Sequence, residues 1–448
     1  MKIIVVGMGN VGTELVKQLS KEDHDIIVID KNEKAVERAV EAYDTMGFIG
    51  NGVSYDTLSN AGVSTCDLIV ACTQYDEMNI LCCLVSKKLG AKETIARVRN
   101  EEYSELFSER DLGLSSLVNP ELETAKEIAR LVRFPSAIKI EPFARGMVDI
   151  IELKVTEESI FNGVTLKSLS KLLSRKVLIC AVERAGEVFI PSGEFTTLSG
   201  DKIYITAQAN DMTLLFKDLE LSKGAKKIMI IGGSRIAYYL ALELEKSGIG
   251  YKIIEKNEAR CAFLSENLEN AEIIHGDGTD RELLLDEGIE DADVAVTLCG
   301  IDEQNIIISM FAVSKKVGKV ITRTDNPSYF AMLENSGIDS IVSTKSTTAN
   351  RILKYVRGKI GTSGSAMNKL YKILGDKAEV IEFTAKEDCN GLSTPLAQLK
   401  IKQNTLVAGI IRNRTVITPR GTDTIEPNDI VLVFTTQERC DNINDILE

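Results

Sequence analysis

Residues 2–12 read KIIVVGMGNVG, and residues 227–237 read KIMIIGGSRIA. In each, a short unbroken apolar run stops at a glycine and opens into a segment with helical spacing. Such a run predicts a strand buried on both faces, because a strand with one wet face alternates apolar and polar residues. The chain therefore starts the same strand–turn–helix twice, and the register holds well beyond the two stretches. Lys2 matches Lys227, Gly7 matches Gly232 and Asp30 matches Glu255, at a spacing of 225 residues. After one inserted residue the spacing is 226: Gly50-Asn51-Gly52 matches Gly276-Asp277-Gly278, and Gly62 matches Gly288. Asp67, Asp76, Asn79, Arg97, Asn100 and Tyr103 then match Asp293, Asp302, Asn305, Arg323, Asn326 and Tyr329. Polar identities in constant register across so long a stretch mark a duplication.

Within each copy, apolar runs alternate with amphipathic segments. In the first, KIIVV, DIIVID, CDLIVACT, TIARV and SSLV are separated by stretches such as Gly12–Ser20 and Glu77–Leu89. This order predicts an α/β fold with a doubly wound, Rossmann-like parallel sheet, since right-handed crossovers cover both faces with helices. The segment after each copy has a different pattern. VDIIELKV at 148–155 and VLICAVER at 177–184 are strand runs, succeeded by turn-rich sequence and another strand. EVIEFT, LVAGIIR and VITPRGTDTIEPNDIVLVF repeat that plan, with Pro191, Gly193 and Asp201 matching Pro419, Gly421 and Asp429 at a spacing of 228. The expected organisation is a large α/β domain (1–121), a small α+β domain (141–222), then both again (226–345 and 366–448). The connecting stretches PELETAKEIARLVRF and KSTTANRILKYVRGKIG carry regularly spaced apolar residues and end basic, which predicts helices.

GMGNVG places glycines at 7, 9 and 12. In this context the first permits the turn, the second lets backbone approach a diphosphate, and the third lets helix pack on strand. The helix N-terminus, with Met8, Asn10 and Val11 in the same turn, offers N–H groups to phosphate. Asp30 ends the second strand, where a carboxylate accepts from both ribose hydroxyls and repels a 2′-phosphate, favouring NAD over NADP. Later strand ends should face the same crevice, bringing Asn51, Thr73, Gln74 and Arg97 to it. Arg97 is a candidate phosphate ligand because it recurs as Arg323; Arg99, which becomes Asp325, reads as a surface ion-pair residue. Asp76 and Asn79 either serve the crevice or cap the helix that begins there.

The second loop is altered. Gly232 and Gly233 remain, Ser234 stands at the second motif glycine, Ala237 at the third, and Arg235 and Ile236 lie between. Serine adds a Cβ where phosphate should approach, and also a hydroxyl able to bond it. Glu255 keeps the ribose-binding acid, and Asp277, Cys299 and Arg323 occupy the later strand ends. A nucleotide site with changed preference is expected.

Composition limits the alternatives. With 53 basic against 66 acidic residues the net charge is −13, which disfavours nucleic-acid binding and adhesion to anionic lipid. No apolar run is long enough to span a membrane, and Met1 leads directly into a strand pattern, so no signal peptide is expected. The nine cysteines include no C-x-x-C and several fall in apolar segments, as buried reduced thiols do. A hydride-transfer enzyme needs a proton donor near the nicotinamide. The only histidines are His24, in a charged turn, and His275, at a strand end. Tyr355 and Lys359 have the Tyr-x-x-x-Lys spacing of short-chain dehydrogenases but lie in a connecting helix. No metal-ligand spacing appears. An NAD-dependent oxidoreductase is therefore the weaker reading.

The tandem order of domains, with GMGNVG followed by Asp30, the NG and CT strand ends and Arg97, resembles the TrkA family. These are cytosolic nucleotide-binding components of bacterial and archaeal Trk potassium uptake systems, built from RCK N- and C-domains. The resemblance spans the whole chain. It implies a regulatory subunit, not an enzyme, that binds NAD(H), with ATP or ADP as further candidate ligands. It further implies a homotetrameric ring with eight large domains, docked on the cytoplasmic face of a TrkH- or TrkG-type membrane transporter.

Overall fold

The computed structural model describes residues 1–22, 24–100, 102–103, 113–144, 147–172, 177–208, 211, 214–216, 225–333, 336–360, 367–373, 377–436 and 442–448. The chain divides into two compact units, one of residues 1–129 and 226–353, the other of residues 130–225 and 354–448.

The first unit contains both glycine-loop repeats. Strands β1 (Lys2–Val6), β2 (Asp25–Asp30), β3 (Met46–Ile49), β4 (Leu68–Ala71), β5 (Glu93–Arg97) and β6 (Ser116–Val118) form a parallel sheet in the order β3-β2-β1-β4-β5-β6. Helices α1 (Asn10–Leu19), α2 (Glu33–Tyr43), α3 (Tyr55–Asn60), α4 (Asp76–Lys88) and α5 (Pro120–Arg133) follow the strands. The second copy repeats this with β12 (Ile228–Ile231), β13 (Tyr251–Glu255), β14 (Ala271–His275), β15 (Val294–Thr297), β16 (Lys319–Arg323) and β17 (Ser340–Val342), in the order β14-β13-β12-β15-β16-β17. Its helices are α7 (Arg235–Lys246), α8 (Glu258–Asn267), α9 (Arg281–Asp286), α10 (Asp302–Ser314), α11 (Phe330–Leu333) and α12 (Thr344–Ile360). Strand order reverses beside β1 and again beside β12, so each sheet opens a crevice at its carboxyl edge there. The apolar runs explain the burial: Ile3, Ile4 and Val5 are fully buried, as are Ile230 and Ile231.

Several polar residues that match between the copies are scaffolding. Asp67 accepts from the Lys2 N–H, and Asp293 from the Lys226 and Lys227 N–H groups, tying the starts of neighbouring strands. Tyr103 donates to Glu77 and Tyr329 to Glu303. The two copies also meet each other. Asn119 donates to the Tyr239 hydroxyl at 3.1 Å, and Thr347 donates to Glu127 at 2.7 Å.

One core position differs in charge. Lys319 stands where the first copy has Glu93, and it is buried at the start of β16. Burial pushes its ammonium down from 10.5 to about 8, against the attraction of Asp339. A lowered folded-state pKa means that the unfolded chain binds more protons between about pH 8 and pH 10.5, so this group makes stability rise across that window. Lys319→Met is expected to flatten that rise, and denaturant titrations at the two ends of the window check it. An identical slope in both proteins would show that Lys319 titrates alike folded and unfolded.

The second unit holds two antiparallel sheets. One runs β10-β9-β11-β8-β7 from β7 (Ala137–Phe143), β8 (Val148–Lys154), β9 (Leu178–Arg184), β10 (Glu187–Phe189) and β11 (Lys202–Gln208), with helix α6 (Leu166–Leu172). The other runs β18-β19-β22-β20-β21 from β18 (Met367–Ile373), β19 (Ala378–Thr384), β20 (Thr405–Arg412), β21 (Thr415–Ile417) and β22 (Ile430–Thr435). Their cores merge in one cluster in which Phe143, Ile150 and Tyr204 pack with Val380, Leu432 and Phe434. The matched Asp201 and Asp429 each take a two-pronged bond from an arginine, Arg184 and Arg412 respectively. These repeats too are structural.

Candidate functional site

The carboxyl edge of the first sheet encloses a cavity of about 590 Å³. Gly7 has φ +97°, and a Cβ on it would lie 2.7 Å from the Thr73 backbone nitrogen, so only glycine fits the turn. A Cβ on Gly12 would meet the Gly7 carbonyl oxygen at 2.0 Å. Gly9, by contrast, faces open space and precedes α1 with no side-chain cap. That leaves the cradle a phosphate needs: room at the second glycine and a helix N-terminus with donors to offer. Asp30 is pinned at the end of β2, accepting from the Met8 N–H at 2.6 Å and the Asn32 N–H at 2.8 Å. A carboxylate has about four acceptor positions, so it retains capacity for ribose hydroxyls. These residues fit an adenosine nucleotide.

Of the residues expected at this site, Gly7, Gly9, Asn10, Asp30, Asn51, Thr73, Gln74 and Arg97 line the cavity. Met8 and Val11 do not. Met8 acts through its backbone bond to Asp30, and Val11 faces a different cavity. Lys31 and Arg99 line the site as well. Arg99 is also the ion-pair residue its sequence suggests, donating to Glu121 at 2.6 Å.

Asp76 and Asn79 do not cap α4. Fully buried Asn79 accepts from the Thr73 N–H and hydroxyl at 2.8 and 2.7 Å, and donates to the carbonyls of Thr73 and Arg97 at 3.0 and 2.8 Å. Asp76 accepts from the N–H groups of Arg99 and Asn100. Together they hold the ends of β4 and β5 beside the cavity. Arg97 is thereby aimed by its backbone, while its buried Nε has no hydrogen-bond partner among the described residues. Burial lowers its pKa, yet a guanidinium stays charged at neutral pH. The Arg323 Nε is buried without a partner in the same way, so this feature marks both copies.

The second crevice holds a cavity of about 370 Å³. Gly232, Gly233, Ser234, Glu255, Asp277 and Cys299 line it. Glu255 reproduces Asp30, accepting from the Gly233 N–H at 2.6 Å and the Asn257 N–H at 2.7 Å. Arg235, Ile236 and Arg323 lie elsewhere. They line a third cavity, between the two copies, with Asn10, Val11, Arg97 and Arg99 from the first. The duplication thus brings Arg235 of the second copy to a cavity that borders both sites, sharing Asn10, Arg97 and Arg99 with the first and Ser234 with the second. Arg260, for which the sequence offers no signal, donates to the carbonyls of Gly233 and Ser234 at 2.6 and 3.3 Å. The repeat does not mark it, because Ala35 is its counterpart.

His24 and His275 line neither cavity, and Tyr355 and Lys359 lie on α12. Burial pushes the thiols of Cys72 and Cys82 up to about 12 and that of Cys299 up to about 11, so they remain protonated at neutral pH. Among the described residues there is no cluster able to hold a metal ion, and no helix is long and apolar enough to cross a membrane.

This tandem pattern is matched by family models. The TrkA-N domain model fits residues 3–120 and 228–344, and the TrkA-C domain model fits residues 150–220 and 380–448. The chain belongs to the TrkA family. It is 35% identical over 449 residues to Trk system potassium uptake protein TrkA homolog 1 of Methanosarcina mazei, with 97% of each chain covered. It is 32% identical to the TrkA homolog of Archaeoglobus fulgidus, with both chains covered completely. Among solved structures, the GsuK channel bound to NAD matches with a TM-score of 0.64 at 17% identity, covering 97% of this chain and 76% of that one. That likeness concerns the fold. Within this TrkA-family chain, the intact glycine loop belongs to the first copy and the altered one to the second.

Proposed function

We propose that this chain is the nucleotide-binding regulatory subunit of a Trk-type potassium uptake system, gating transport through a TrkH- or TrkG-type membrane partner in response to NAD(H), ATP or ADP. The carrying observation is the phosphate end of the first cavity. Asp30 reads the ribose that these nucleotides share, whereas Arg97 and Arg99 stand where they differ, and Arg235 of the second copy lines the adjoining cavity with them. A ligand shifts a conformational equilibrium only through its differential affinity for two states. An arginine contributed by the opposite copy supplies one, because it engages phosphate only when the two copies are suitably placed.

The assembly in this reading is a homotetrameric ring at the inner face of the membrane, with the chain parsed as 1–121, 141–222, 226–345 and 366–448. Matched helices support it: α4 and α10 expose Leu81, Ile307 and Met310, an apolar surface suited to another copy. All the first-site and second-site residues named from sequence are retained as ligand-contact candidates, Met8 through its backbone, and Val11, Arg235, Ile236 and Arg323 from the cavity between copies.

Arg97→Ala and Arg235→Ala are each expected to weaken binding of ADP and ATP by about tenfold to a hundredfold, the value of a hydrogen bond to a charged group. AMP affinity should barely move, because Asp30 still holds its ribose. Potassium flux through the reconstituted membrane subunit, measured across the nucleotide set, tests the whole reading. If flux is indifferent to nucleotide identity while binding is intact, regulation fails.

A further inference from the structure

We propose that the second cavity takes an adenosine ligand carrying no more than one phosphate, a nucleoside or 5′-monophosphate, while the first takes the polyphosphate. This rests on the nucleotide-binding reading and assigns the second site its ligand class. The adenosine end of the second crevice is intact: Glu255 accepts from the glycine-loop N–H with the same geometry as Asp30. At the phosphate end, where Ser234 also borders the cavity between the copies, the protein's own groups take up part of the bonding capacity. The Ser234 hydroxyl caps α7 by accepting from the Ala237 N–H at 3.4 Å, the counterpart of the Gly12 N–H in the first copy. The first helix has no such cap.

The arginines are engaged likewise. Arg323 donates to Asp325 at 2.7 Å and to the Cys299 carbonyl at 3.3 Å, and it does not line the second cavity. Asp325 is itself held by the Ser343 hydroxyl and the Lys345 N–H, which fixes the pair. In the first copy Arg99 replaces this aspartate, and Arg97 is left facing its cavity. Arg260 bonds loop carbonyls and lies 4.5 Å over the Phe263 ring, so it bridges protein to protein. The linings differ in charge accordingly. The first has Lys31, Arg97 and Arg99 against Asp30, and the pairing of Arg99 with Glu121 leaves two cations to one carboxylate. The second has Lys256 and Arg260 against Glu255 and Asp277, two to two. Each phosphate beyond the first adds charge that the second lining does not neutralise. Its smaller volume, about 370 against 590 Å³, points the same way.

The experiment is calorimetry on the full-length chain carrying Asp30→Ala, in which the first cavity is weakened about a hundredfold and the tighter binding that remains belongs to the second. AMP or adenosine is expected to bind at least tenfold more tightly than ADP or NAD, and adding Glu255→Ala should remove that binding. Wild-type protein saturated with ADP gives an independent reading that does not depend on the variant's folding: it should accept one further AMP or adenosine per chain. Adding Ser234→Gly and Asp325→Arg should raise ADP affinity at the second cavity at least tenfold. Equal affinity of ADP and AMP at the second cavity, two equivalent ADP sites in the wild type, or no second ligand at all would overturn the proposal while leaving the first site's role standing. Failure of ADP, ATP and NAD to bind wild-type protein anywhere would instead remove the polyphosphate reading of the first site.

Discussion

Asp30→Ala is expected to weaken nucleotide binding at the first cavity by about a hundredfold. The carboxylate makes charge-assisted bonds to the Met8 and Asn32 N–H groups and keeps acceptor capacity for the ribose. Each hydrogen bond to a charged group contributes about 1.5–3 kcal/mol, and tenfold in affinity corresponds to about 1.4 kcal/mol. Alanine removes the ribose bonds and releases the Met8 N–H, loosening the turn that should cradle phosphate. The loss should therefore apply to every adenosine nucleotide, in contrast to the selective loss in Arg97→Ala. Asp30→Asn separates the contributions: its amide oxygen still accepts one bond, but the NH₂ cannot replace the second acceptor. Calorimetric titration with ADP and NAD checks both variants. An unchanged dissociation constant in Asp30→Ala would remove this residue from the site.

Asn79→Ala should lower stability by about 3 kcal/mol, at the upper end for one buried polar group, because several groups lose partners together. The Thr73 N–H and the carbonyls of Thr73 and Arg97 are left without the amide. Chemical denaturation should show an earlier transition, and hydrogen exchange should place the loss at the ends of β4 and β5. Nucleotide affinity should fall too, since those strand ends carry Thr73 and Arg97. Asn305→Ala offers the matched control. Asn305 makes the corresponding bonds to Cys299 and Arg323, so the stability cost should be similar while the first cavity keeps its affinity. Equal stability of Asn79→Ala and wild type would show that solvent replaces the amide without penalty.

Some site residues were legible from the repeat and others were not. Recurrence points to Asn79, Asp76 and Arg97, but it does not separate a ligand from a strut. Asp67, Tyr103 and Asp201 recur as faithfully, and the structure uses them to join strands and helices. Arg97 and Arg323 are identical in register and differ in situation: Arg97 lines the first cavity, whereas Arg323 is held by Asp325 and does not line the second. Arg260 was invisible because its role depends on α8 packing beside a loop 27 residues earlier.

By itself the sequence determined the two doubly wound sheets, the small antiparallel domains, the intact and altered glycine loops, and the acids at the ends of β2 and β13. Each arises from local physics: apolar runs that must be buried on both faces, glycines where a Cβ collides, and a carboxylate at a strand end. Only the tertiary structure decided that Arg235 lines a cavity between the two copies, that Ser234 caps a helix, and that Asp325 holds Arg323 away from the second cavity. These outcomes depend on which groups stand within about 3 Å of one another after folding. Hydrogen bonds and ion pairs act at that range, and spacing along the chain does not encode it.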